Sequence, residues 1–155
     1  MIPVRPFIGT DILRDLHLFN VNEFYATHLE FKARTGCLGI KENLERWGIS
    51  DPMCDLCGND KEVLTHFLFL CPTFNDKRKA CYKKLESELR CLGHEELWFR
   101  FCGSSVLGKL CLFLGDHGYL HSNEIGALFD KICKEFLFNA WKLRRESCTD
   151  QPDPT

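Results

Sequence analysis

Apolar residues at Ile12, Leu13, Leu16, Phe19, Phe24 and Leu29 recur between Asp11 and Arg34 at an uneven helical spacing, which predicts two helices joined near "FNVNE". The glycines of "RTGCLG" interrupt that pattern. "IKENLERWG" then predicts a short helix with Ile40, Leu44 and Trp47 on one side and Gly48 at its C-terminal end. Beyond the loop "ISDP" and a pair of cysteines, "KEVLTHFLFLC" is a compact apolar run compatible with helix or strand, closed by Pro72. "TFNDKRKACYKKLESELRCLG" has a clear helical period. Thr73 or Asn75 is expected to cap it, Phe74, Cys81, Leu85, Leu89 and Leu92 line one face, and Gly93 stops it. Three more helices are predicted, in "EELWFRFC", "SVLGKLCLFLG" and "SNEIGALFDKICKEFLFNAWKLRRE". In the last, Ile125, Leu128, Phe129, Ile132, Phe136, Leu137 and Trp141 form a wide apolar stripe. The polar ending "CTDQPDPT" is expected to be mobile.

The helical periods and the near absence of period-2 alternation predict a mainly α fold. A chain of 155 residues is the size of one domain with a real core, and 13 Phe supply packing material. The formal net charge of −2 excludes a polycation, so any nucleic-acid contact must use a local patch. No run reaches the roughly 18 apolar residues of a membrane span, and "MIPVRPFIGTDILRDL" does not read as an export signal. The expected location is therefore intracellular, in nucleus or cytoplasm. In a reducing compartment the ten cysteines stay free or bind metal rather than form disulfides.

Four residues carry a definite chemistry. Cys54, Cys57, His66 and Cys71 stand in a C-x2-C-x8-H-x4-C arrangement. Zn²⁺ prefers four tetrahedral sulfur and nitrogen ligands, and two cysteines two residues apart can wrap one face of an ion through a tight turn released by Gly58. Such a closed set leaves no position for a catalytic water, so one structural Zn²⁺ is expected and no enzymatic activity. The alternative is a redox pair or free thiols beside a surface imidazole. A thioredoxin-like pair should begin a helix after a buried strand, and "GISDPM" is not such a strand.

Residues 31 to 85 resemble the zinc-binding domain found downstream of the polymerase in reverse transcriptases of LINE-type (non-LTR) retrotransposons. The shared pattern is "RTG" before a short helix, a Trp-Gly pair, C-x2-C-G, an acidic residue before "HFLFLCP", and a basic helix afterward. The resemblance covers about a third of the chain and includes no polymerase. It implies the same four ligands and a contact with RNA or DNA. The expected organisation is an N-terminal helical segment (1–30), the zinc-binding domain (31–92), a C-terminal helical extension packed on it (93–147) and a tail (148–155).

The local charge can be set against that implication. From Phe74 to Arg90, Lys77, Arg78, Lys79, Lys83, Lys84 and Arg90 face Asp76, Glu86 and Glu88, a local positive excess. Arg34, Lys41 and Arg46 are expected to extend the patch, binding phosphate with little sequence preference. The bland alternative is the solvated face of an amphipathic helix. Trp47 is expected in the core, under the zinc loop. The competing function is protein interaction or self-association through the C-terminal aromatic helix. Two weaker signals complete the reading. "GSSVLGKL" nearly spells a phosphate-binding loop but has Leu110 where a hydroxyl should hold Mg²⁺. His117 and His121, with Cys111, are a candidate second metal site, although Gly115 and Gly118 argue for a loop with satisfied histidines.

Overall fold

The computed structural model describes residues 21–114 and 123–148. Six α-helices run in the order α1 (Val21–Thr35), α2 (Lys41–Arg46), α3 (Asn75–Cys91), α4 (Glu95–Gly103), α5 (Val106–Leu114) and α6 (Asn123–Ser147). Between α2 and α3 lie a hairpin-like loop, one turn of π-helix (His66–Leu70) and a short 3₁₀ turn (Pro72–Phe74). The fold is mainly α, with a single β-bridge, Met53 to Lys61, among the described residues. No described helix is long and apolar enough to cross a membrane.

The longest helix, α6, organises the packing. At 1.5 Å per residue its 25 residues span about 37 Å, and α1, α3 and α5 all pack against it. The stripe read from the sequence is the reason, since Ile125, Leu128, Phe129, Ile132, Phe136, Leu137 and Trp141 are all buried. Aromatic rings join the layers edge to face. Phe67 of the π-turn meets Phe74 at 5.1 Å and Trp141 at 5.9 Å, and Phe113 of α5 bridges Phe69 and Phe136. One continuous core therefore runs from the cysteine loop into the C-terminal helices.

Helix ends follow the glycines. At the end of α2, Gly48 adopts φ +74 and donates to the Glu45 carbonyl, while Ile49 donates to that of Leu44. These are the paired bonds of a Schellman motif. Gly93 closes α3 the same way, with Gly93 and His94 donating to the carbonyls of Arg90 and Leu89.

Several expectations need correction. Neither Thr73 nor Asn75 caps α3, because Phe74 holds the N-cap position without a side-chain bond and the Asn75 side chain accepts from Arg78. Trp47 is 42% exposed rather than buried under the loop. As the residue just past α2 it leaves the helix face that carries Leu44 into the core. Phe24 is 70% exposed, since α1 turns Ala26, Leu29 and Ala33 inward instead. The run "KEVLTHFLFLC", compatible by sequence with helix or strand, forms a wide helical turn. Ile12, Leu13, Leu16 and Phe19, His117 and His121, and the last seven residues lie outside the described residues.

A carboxyl pair joins α1 to α6. Glu30 is buried, with the Arg34 guanidinium against Oε1, and its Oε2 has no hydrogen-bond donor. Burial, followed by the hydrogen bond and charge of Asp130, pushes the Glu30 carboxyl up to about 8. Glu30 thus keeps its proton at neutral pH, and Asp130, paired with Lys134 at 2.6 Å, carries the charge. An acid with a raised folded-state pKa binds more protons folded than unfolded, so its contribution to stability falls as pH rises from about 4.3 to about 8. Glu30→Gln, which is permanently neutral, should flatten the decline in melting temperature between pH 6 and pH 8.5 by roughly the Glu30 contribution. Parallel pH profiles for variant and parent would show that Glu30 does not bind that proton.

Candidate metal centre

Three backbone devices bring Cys54, Cys57, His66 and Cys71 together. The first is the antiparallel pairing around Met53 and Lys61, in which Glu62 donates to the Pro52 carbonyl and Cys54 to that of Asp60. The second is the tight turn that the pairing encloses. Gly58 donates to the Cys54 carbonyl at 2.9 Å and adopts φ +68, where a side chain would be strained. The third is the π-turn. Its Cys71 amide donates to the His66 carbonyl at 2.7 Å, so the five-residue bond joins the very residues that supply ligands. In an α-helix a five-residue step would leave two side chains about 140° apart. The wider turn and the extended backbone of Cys71 close that gap.

The four ligand atoms lie within 4.8 Å of one another and could hold one metal ion. Cys54 Sγ is 3.9 Å from Cys71 Sγ, and Cys57 Sγ is 3.4 Å from His66 Nε2. Cys54, His66 and Cys71 are buried, while Cys57 is half-buried at the rim. Their electrostatics differ accordingly. Burial pushes the Cys54 thiol up to about 12, against the pull of the Cys57 and Leu56 amides. Burial also opposes the Cys57 thiolate, but amide bonds from Asn59 and Asp60, with those from the Cys54 and Cys71 thiols, outweigh it and hold that pKa below the ordinary thiol value.

Around the cluster stands a polar framework that ties it to the start of α2 and to the end of α6. Glu62, fully buried, accepts from the Lys41 backbone amide at the start of α2 and from Arg144 of α6, both at 2.8 Å through Oε1. Its Oε2 accepts from Arg144 Nε at 3.1 Å. The Arg144 guanidinium also lies 4.8 Å from the Trp141 ring centre. Burial works against the Arg144 charge, yet the bonds and charge of Glu62 more than offset it and raise its pKa. Glu62 is the acidic residue of the sequence pattern ahead of "HFLFLCP", but its partner was invisible there.

The cations expected to contact nucleic acid separate into distinct roles. Lys77, Lys79 and Lys83 are exposed along α3. Lys84 is paired with Glu135 of α6 at 2.6 Å, in an exposed bridge of the weak kind. Arg46 is exposed but bonds the Gly36 carbonyl and Asn43 Oδ1, which fastens α2 to the "RTG" turn. Arg34 engages Glu30 and Asp130. Two residues do not belong to a phosphate-binding surface. Arg78, 6% exposed, donates to the Leu68 and Cys71 carbonyls and to Asn75, satisfying carbonyls that the end of the π-turn leaves open. Lys41, 5% exposed, holds Asp55 at 2.9 Å beside the cysteine turn.

No family model, curated protein or solved structure matches this chain.

The buried pair carries a quantitative consequence. Arg144→Met should leave Glu62 buried without its countercharge and destabilise the protein by about 3–5 kcal/mol. The double variant with Glu62→Gln should regain part of that loss. Urea denaturation of parent and variants in the same buffer measures both, and an unchanged midpoint in Arg144→Met would show that the pair contributes nothing.

Proposed function

We propose that this chain is a non-catalytic zinc-binding module, related to the zinc-binding domain of LINE-type reverse transcriptases, that binds RNA or DNA through α3 beside the metal centre. The observation that carries the metal half is the spacing of the ligand atoms. A tetrahedron with Zn–S near 2.3 Å and Zn–N near 2.05 Å has edges of about 3.8 Å between sulfurs and about 3.6 Å between sulfur and nitrogen. Two of the six interligand distances, 3.9 and 3.4 Å, are close to those edges, and all six lie within 4.8 Å. The donor set of three cysteines and one histidine is a structural zinc set, filled by protein alone, which supports a non-catalytic role. A divalent ion would also supply the charge that lets the buried Cys54 sulfur lose its proton.

Native mass spectrometry should find one zinc ion in the parent chain and none in Cys54→Ser or His66→Ala. A parent chain that is fully folded and free of metal would refute the zinc reading.

The nucleic-acid half is supported by the exposure of Lys77, Lys79 and Lys83 within two turns of one helix. Among the described residues none of the three is salt-bridged to a carboxylate, so their charge is available to phosphate. Three phosphate contacts on a single strand give a salt slope of about −2, or roughly a twentyfold loss of affinity between about 50 and about 200 mM salt. Gel-shift titration against single-stranded RNA and DNA should show that dependence. Reversing the three lysines to Glu should abolish the shift, and a parent chain that shifts neither strand at low salt sinks this reading.

A protein-interaction module without nucleic-acid binding remains the second reading, and its surface changes. The C-terminal aromatic stripe is spent on the protein's own core, but Phe24 and Phe31 lie two turns apart on α1 with 70% and 63% exposure. Concentration-dependent self-association without any gel shift would favour it.

A further inference from the structure

Among the described residues eight large apolar side chains are exposed, and three of them, Trp47, Ile49 and Met53, fall within seven residues of chain. Ile49 is 60% exposed and Met53 42%. In a Schellman motif the residue after the glycine commonly touches the last helical turn, which gives Ile49 a local role, but most of its side chain still faces water. The backbone keeps the three residues close. Ile49 donates to the Leu44 carbonyl near the C-terminal end of α2, the Pro52 carbonyl accepts from Glu62, and the Glu62 carbonyl accepts from Glu42 at the N-terminal end. Residues 47–53 therefore return along α2, whose 6 residues measure only about 9 Å.

The charge on the same stretch has the opposite sign to that of α3. Glu42, Glu45, Asp51 and Asp60 are exposed, and none of them is salt-bridged among the described residues. Asp51 does accept the Met53 amide at 2.9 Å, which fixes that carboxylate beside the apolar group. Against the four carboxylates stand Arg46 and Lys61. The Arg46 guanidinium is committed to the Gly36 carbonyl and Asn43, and Lys61 pairs through its backbone with Met53. Lys41 and Asp55 neutralise one another. The balance is negative, around an apolar centre that includes a tryptophan.

We propose that this face docks a basic amphipathic segment of another protein, its apolar side chains on Trp47, Ile49 and Met53 and its cations on Glu42, Glu45, Asp51 and Asp60. An apolar centre with a charged rim, anchored by an exposed Trp, is the usual composition of a protein contact. The sign of the rim selects the occupant. Phosphate is repelled, so nucleic acid is excluded from this side of the molecule. A second copy presenting the same face would set like charges against each other, and three side chains fall far short of the roughly 800 Å² per partner of a standard interface. A short basic segment needs less area and gains from every carboxylate. The proposal stands whether or not α3 binds RNA or DNA, and it uses a different surface from Phe24 and Phe31.

Peptide titration of the full chain, followed by NMR, tests it. The probe is an amphipathic peptide of about 14 residues built from leucine and lysine alone, compared with its leucine–glutamate analogue and with a lysine–serine peptide that lacks apolar side chains. The leucine–lysine peptide should shift the Trp47 indole signal and the amides of Ile49 and Met53, while the other two leave them in place. Unmoved signals at these residues, or equal shifts with the glutamate analogue, overturn the proposal. So do the same shifts produced by raising the protein concentration alone, which would make the occupant a second copy. In the double variant Trp47→Ser/Ile49→Ser, unchanged Leu44 and Phe67 amides would report an intact fold, and affinity for the leucine–lysine peptide should fall about tenfold. Glu42→Gln with Glu45→Gln leaves the apolar group untouched and should weaken binding several-fold with a shallower salt dependence. Parental affinity in both double variants overturns the docking face.

Discussion

The convergence of Cys54, Cys57, His66 and Cys71 within 4.8 Å is the constraint on which the rest of the structure depends. It fixes a segment that has little regular structure of its own. Once the segment is fixed, Glu62 stands where it can hold the start of α2 and the end of α6 together. The π-turn that presents His66 also sends Phe67 inward, against Phe74 and Trp141. Arg78 then closes the carbonyls left at the end of that turn, which sets the start of α3. Each of these links is short and buried, so displacement of the cysteine loop is transmitted to three helices.

Magnitudes explain why a metal can rule a fold with so many aromatic contacts. Domains of this size are stable by only about 5–15 kcal/mol in total. A structural zinc ion of the proposed kind contributes an apparent 10–16 kcal/mol or so, comparable to the whole. The Glu62–Arg144 pair is a different case. Burying two charges costs about as much as their attraction returns, so the pair adds little net stability. Its value lies in the large cost of separating the partners, which specifies one docking position for α6 against the loop.

Local chemistry was legible in the sequence, and long-range chemistry was not. The four candidate ligands could be read because they lie within one short segment and their spacing reflects tight turns. The α6 stripe could be read because helical period and burial are the same fact seen twice. Arg144 could not, because it meets Glu62 across 82 residues and looks like any arginine in the last turn of a helix. Arg78 was misplaced for a related reason. It sits in a run of cations, and only the open carbonyls of the neighbouring turn draw it inward. Trp47 shows the opposite error, since its bulk suggested burial while its position past the end of α2 exposes it.

These links make the cluster of Cys54, Cys57, His66 and Cys71 the hub of the fold rather than an ornament on one loop. Hydrogen–deuterium exchange, compared before and after chelation, measures that directly. Removing the ion should strip protection from residues 52–74 and, through Glu62 and Phe67, from residues 141–147 at the end of α6. Exchange that rises only between Cys54 and Cys71, or not at all, would contradict the role of the cluster as the constraint that holds the helices in place.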